Sequence, residues 1–132
     1  MEETRNVFGD RIAPCSTDPM TGFKRDGCCS ADPYDGGNHA VCALVTEAFL
    51  SYTAGQGNDL STPRPELGFP GLKPGDRWCL CAGRWLEAAR AGKAPPVFAR
   101  ATSALALEEI PRDFLLQYAV DLDAPAAAGQ GQ

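Results

Sequence analysis

The chain has 132 residues, with 12 Lys+Arg against 17 Asp+Glu and a formal net charge of −5. That length is one domain by the usual prior, and the excess of acid argues against nucleic acid or an anionic membrane as partner, since either needs a basic face to meet phosphate. A hydrophobic fraction of 44% suffices for a core, yet no apolar run approaches the roughly 18 residues of a spanning helix, and Met1-Glu2-Glu3-Thr4-Arg5 is no signal core, so a cytoplasmic location is expected.

The first forty residues are crowded with turn formers: Asp18-Pro19, Thr21-Gly22, Asp26-Gly27, Asp32-Pro33 and Asp35-Gly36-Gly37. Only short extended pieces fit between them, near Val7-Phe8 and Ile12–Cys15. Residues 39–54 read as a helix, because Val41, Leu44, Val45, Ala48, Phe49 and Tyr52 recur on one helical stripe. Asn38 is placed to cap its start and Gly55 to follow its last turn. Nine of the 21 positions from 55 to 75 are Gly or Pro, which predicts a long loop over residues 55–76. Pro63, Pro65, Pro70 and Pro74 stiffen it, while Leu60, Leu67, Phe69 and Leu72 give it apolar surface to bury, so it is expected to be an ordered cover.

Arg77–Ala82 alternates like a strand, Arg84–Ala91 is a short helix stopped by Gly92, and Val97–Thr102 is a second strand after Pro95-Pro96. The spacing of the two strands allows a right-handed crossover that makes them parallel neighbours, and a hairpin fits as well. Ala104–Ile110 suits helix or strand, and Pro111 opens a last helix with Phe114, Leu115 and Tyr118 inward. Residues 121–132 have little to bury and read as a flexible tail. The expected fold is a single α+β domain over residues 1–120, a small two-layer sandwich in which a short sheet packs against a few helices.

Six Cys and a single His stand out from the composition. In a reducing compartment such cysteines serve as buried apolar groups, metal ligands or redox groups, and disulfides are disfavoured. Cys79 and Cys81, two apart on a strand, share a face. Cys28 and Cys29 are adjacent and diverge. His39 and Cys42, three apart on the predicted helix, form half of a tetrahedral metal site and set Cys42 near a helix N-terminus that favours a thiolate. Cys28, Cys29, His39, Cys42, Cys79 and Cys81 are therefore candidate metal ligands, with zinc the first candidate. For thiol-redox chemistry the candidate thiols are Cys42, Cys28 and Cys15. A Cys–His hydrolase is disfavoured, because no third group to orient His39 is legible. The bland alternative makes each cysteine a core filler.

Asp18, Asp26, Asp32 and Asp35 lack a calcium-loop pattern and are read as turn formers that bond their own backbone. Arg64, Phe69 and Arg77, around the proline-rich segment, are candidates for binding an anionic ligand or a partner, with Arg84 beside them. A non-catalytic interaction module that presents Phe69, Leu72 and Arg64 from residues 55–76 is the alternative function.

Several long motifs carry a resemblance: Asn6-Val7-Phe8-Gly9, Pro14-Cys15-Ser16-Thr17-Asp18-Pro19-Met20-Thr21-Gly22-Phe23, Arg25-Asp26-Gly27-Cys28-Cys29, Asn58 to Glu66, and Gly68 to Cys81. Over roughly residues 6–120 the chain resembles the small bacterial and plant family known as domain of unknown function 2237. The resemblance implies a compact two-layer α+β domain and carries no established activity, ligand or catalytic residue. The functional expectation thus stays with the cysteines, as a metal-binding or thiol-redox site where the Cys28–Cys29 loop, His39 and the Cys79/Cys81 strand meet.

Overall fold

The computed structural model describes residues 4–17, 19–22, 25–30 and 34–122. Residues 40–45 include no charged or hydroxyl side chain, and a short run of this kind, buried on both faces, suits a strand as well as a helix. It is a strand: β1 spans His39–Leu44, and its four central residues are buried. The helix predicted over 39–54 begins only at Thr46, whose hydroxyl accepts the Phe49 amide at 3.1 Å and caps α1, Glu47–Gly55. The apolar stripe was real but belonged to two elements, because a run apolar at every position satisfies both periods.

The second strand, β2 (Arg77–Cys81), leads directly into α2, Ala82–Arg90, close to the expected bounds. β2 pairs antiparallel with β1, in the register Cys42↔Cys79, Val41↔Leu80 and His39↔Cys81. The predicted second strand at 97–102 is not formed. Val97 makes single bridges, antiparallel to Ala43 and parallel to Ala119, and Ala99–Ala101 turns into a 3-10 helix. Two causes are visible. Pro95 and Pro96 bring no N–H to a ladder, and the Asp121 carboxylate accepts the amides of Ala99 and Arg100 at 2.8 and 3.0 Å, drawing the chain out of the sheet. The parallel crossover is thereby replaced by an antiparallel pair. Ala104–Glu108 is also a 3-10 helix, and Pro111 precedes the short α3, Arg112–Leu116.

The short extended pieces expected near Val7-Phe8 and Ile12–Cys15 are not strands, and beside them stand isolated bridges, Arg5 to Arg11 and Asn6 to Ser103. Asp121, expected to start a loose tail, is engaged with residues 99 and 100, and residues 123–132 lie outside those described.

Alternation along the strands separates two buried clusters. Val41, Ala43, Trp78 and Leu80 join the main core with Phe49, Trp85, Ile110 and Leu115. Cys42 and Cys79 join a second cluster with Cys15, Cys29 and Ala101. The segment after α1 contributes to the main core. Phe69 and Leu72 are buried there, Phe69 meeting the Trp78 ring edge-on at 5.3 Å, while Leu67 is exposed. Among the described residues, no helix is long and apolar enough to cross a membrane.

Trp85 anchors the main core. It is fully buried, packs edge-on against Phe114 and Tyr118, and donates its indole N–H to the Pro95 carbonyl at 3.1 Å. Trp85→Phe keeps an aromatic ring but strands that carbonyl and removes ring volume. We expect a loss of about 1–3 kcal/mol, read as a lower urea midpoint at unchanged slope.

Candidate functional site

The site starts from a tight turn. Asp35 bonds its own backbone as an Asx turn, accepting the amides of Gly37 at 3.2 Å and His39 at 2.8 Å. Asn38 follows with φ of 49°, a left-handed conformation that Asn tolerates, and its side-chain amide donates to the Leu105 carbonyl and to Glu109. The chain then enters β1 with an irregular step: Val41 faces Leu80, but His39, not Ala40, faces Cys81. A bulge adds one residue to one strand and re-aims a side chain. Here it sets the imidazole against the thiol.

The result is a three-residue relay. Asp35 Oδ1 lies 2.7 Å from His39 Nδ1, and His39 Nε2 lies 3.3 Å from Cys81 Sγ. The side chain of Asp35 is 5% exposed and that of His39 35% exposed. His39 is pushed up to about 9: the hydrogen bond to Cys81 raises it most, burial opposes this, and the bond and charge of Asp35 add to the rise. Cys81 stands at the N-cap of α2. The first amides of a helix lack intrahelical acceptors and carry partial positive charge. Gly37 must be a glycine, because a Cβ there would come within 2.8 Å of the imidazole Cε1 and 3.2 Å of Cys81 Sγ.

Two open clefts flank the relay. One, of about 360 Å³, is bordered by Cys81, Gly36, Gly37, Gly83, Arg84 and Glu109. The other, of about 640 Å³, is bordered by His39, Arg25, Asp59, Arg64, Phe69 and Trp78. Arg25 stacks its guanidinium on Trp78, with 5.1 Å to the ring centroid.

The other cysteines are elsewhere. Cys15 is joined to Cys42 and Cys29 to Cys79, with Cα–Cα distances of 5.7 and 5.3 Å, against the expectation that disulfides are disfavoured. All four are almost wholly buried, and the sulfurs of Cys15, Cys29 and Cys79 lie within 4.8 Å of one another, close enough to share a metal ion. Cys42 sits on β1 rather than at a helix N-terminus, and Cys15 and Cys42 are bonded to each other, so neither offers a free thiol in this state. Cys28 is free and half-buried; burial, reinforced by the Asp26 carboxylate, pushes its thiol up. His39 and Cys42 are not a ligand pair, since Cys42 is joined to Cys15 and the imidazole meets Cys81 instead.

Arg64 is exposed and pairs with Glu66 at 3.9 Å. The Arg77 guanidinium lies over Phe98, 4.0 Å from the ring centroid, and Arg84 bonds the Gln56 carbonyl and Glu87. Phe69 and Leu72, expected to be presented outward, are spent in the core. Asp26 holds the Cys28 amide as an Asx turn, while Asp18 and Asp32 lie outside the described residues. Sequence patterns do not show that Asp35 bonds the imidazole or that Cys81 is its other neighbour. The available signals were a dense Asp-Gly-Gly-Asn turn before the only His, and a Cys at a strand-to-helix junction.

Because the folded value of His39 lies above its ordinary 6.5, the relay's contribution to stability is full below pH 6.5 and is lost as pH rises through about 9. Solvent screening of a partly exposed side chain reduces the effect to about 1–2 kcal/mol. Urea midpoints of the protein and of His39→Gln should therefore converge between pH 6.5 and 9.

No curated protein matches this chain. The family model described as an uncharacterized protein conserved in bacteria, DUF2237, matches residues 5–119. The match takes in both strands, all three helices and each residue of the relay, and the chain belongs to the DUF2237 family.

Proposed function

We propose that this protein is a thiol-dependent enzyme in which Cys81 is the nucleophile, His39 the imidazolium that pairs with it and gives a proton to the leaving group, and Asp35 the group that orients the ring. The observation that carries the reading is the unbroken relay from Asp35 through His39 to Cys81 at the first turn of α2. Sulfur, paired with the His39 imidazolium through Nε2, attacks an electrophilic acyl carbon or sulfur atom. A bond forms from Sγ to that atom, the bond to the leaving group breaks, and His39 gives its proton to the leaving group. Water or a second thiol then takes the group from Cys81.

Asp35 fixes the tautomer and plane of the ring, the role of the third member of such triads. Gly83 lies on the first turn of α2 and borders the same cleft, and an N–H there without an intrahelical acceptor would serve charge developing on an attacked oxygen. Arg25 and Arg64 on the wider cleft suit a substrate with an anionic group. A cytoplasmic setting, whose thiol buffers keep exposed cysteines reduced, suits a nucleophile of this kind.

Limiting iodoacetamide at pH 7, followed by peptide mass spectrometry, tests the assignment without knowledge of the substrate. Cys81 should be alkylated well before Cys28, whose burial keeps it protonated. Equal labelling of the two, or an inert Cys81, would overturn the proposal.

A further inference from the structure

We infer that Cys15, Cys29, Cys42 and Cys79 form a redox-gated zinc site, separate from the Cys81 relay, which holds Zn²⁺ when reduced and two disulfides when oxidised. The four thiols come from the N-terminal loop region and from both strands, and they converge in one cluster. Cys42 and Cys79 are direct cross-strand partners. Their amides go to threonine hydroxyls, Cys42 to Thr102 at 3.1 Å and Cys79 to Thr21 at 2.8 Å, rather than across the pair. In that type of antiparallel pair the side chains stand closest. Cys15 lies against Cys42 and Cys29 against Cys79, and three of the sulfurs fall within 4.8 Å of one another.

A tetrahedral zinc ion with Zn–S bonds of about 2.3 Å needs its four sulfurs roughly 3.8 Å apart. Three of the four sulfurs already lie within 4.8 Å of one another, and the fourth, that of Cys42, is bonded to one of them. Four thiolates close the coordination sphere and leave no position for water, which makes the site structural rather than catalytic. Thiolate donors select zinc over hard cations. Arg77, stacked on the Phe98 ring that lines the cluster, sets a positive charge one ring away from the resulting dianion.

Two dithiol molecules reduce the two disulfides to four thiols and leave as two disulfides, a transfer of four electrons. Zn²⁺ then displaces four protons. In the reverse direction two hydrogen peroxide molecules and four protons take four electrons from the tetrathiolate, giving two disulfides, four waters and free Zn²⁺. Alternative fates of four adjacent cysteines, permanent disulfides or simple core filling, make different demands on the same measurement.

The full chain is reduced with dithiothreitol, freed of it under argon, and given Zn²⁺ or Co²⁺. One metal per chain is expected, with the charge-transfer and d–d absorption of a tetrahedral tetrathiolate in the Co²⁺ form. Reactive thiols should fall from six to two on zinc loading. Two equivalents of peroxide should release the zinc. Cys42→Ser and Cys79→Ser should lose stoichiometric binding. The double variant Cys28→Ser/Cys81→Ser, which leaves the cluster intact, should keep the full Co²⁺ spectrum, and it keeps the test decisive if the first variants unfold. Failure of the reduced protein to take up metal, or loss of the spectrum in that double variant, overturns the inference. Neither result bears on the nucleophile, which alkylation reads separately.

Discussion

His39→Ala should slow carboxymethylation of Cys81 at pH 7 by about 10- to 30-fold while leaving Cys28 unchanged. The size follows from the thiol chemistry. An unassisted cysteine is only a few per cent thiolate at pH 7, so a thiol that hands its proton to imidazole gains at most about 30-fold in reactive form. Nε2 sits 3.3 Å from Sγ, within reach of that proton. The imidazolium persists to about pH 9, so the rate–pH profile of the native protein carries an inflection there that His39→Ala abolishes. A purely structural role for His39 would move both thiols together and leave no inflection.

Asp35→Asn probes the orienting contact. An amide oxygen can still accept from Gly37 or His39, so the turn survives, but the charge that faces Nδ1 is gone. The effect on Cys81 should be smaller than that of His39→Ala, about three- to tenfold, with the inflection shifted to lower pH because the Asp35 bond and charge both raise His39. An inflection that stays at the native position would remove Asp35 from the relay.

The second strong effect concerns the sulfur cluster. Replacing Cys29 and Cys79 together by Ala, without zinc present, should cost about 4 kcal/mol, and the Cys15/Cys42 pair about 3.5 kcal/mol. Those values follow from loop-closure entropy at sequence separations of 50 and 27 residues. Against a typical total of about 5–15 kcal/mol, either loss is large and should lower the melting temperature by on the order of 15 °C. Calorimetry with a chelator present reads it, and a change under about 1 kcal/mol for both pairs would mean that the cross-links add nothing to a core already closed by packing. The two pairs share one cluster, so the quadruple variant should fall short of the sum.

Two elements show how far residue patterns reach. β2 and α2 were legible because Arg77–Cys81 alternates and Ala82–Arg90 carries helix formers, signals that lie within a few residues. β1 was not, because Ala40–Val45 is apolar throughout and Thr46 falls inside the run of residues 39–54 rather than at its start. That error alone hid the relay. Read as helical, His39 pairs with Cys42; read as a strand with a bulge, it pairs with Cys81. The same misplacement removed the need to ask what Asp35 held. Disulfides are disfavoured on grounds of compartment alone, and compartment says nothing of which sulfurs meet in the fold.

Composition and local pattern were enough to indicate an acidic α+β domain and to single out the cysteines and the lone histidine as candidates, while the long motifs carried the family resemblance. Which cysteine meets which partner was settled by pairing across the fold. His39 and Cys81 are 42 residues apart, and one extra residue in β1 chooses between Ala40 and His39 as the neighbour of the thiol. No local preference encodes that choice, because side chains in a strand alternate with a period of two and a single inserted residue exchanges one face for the other.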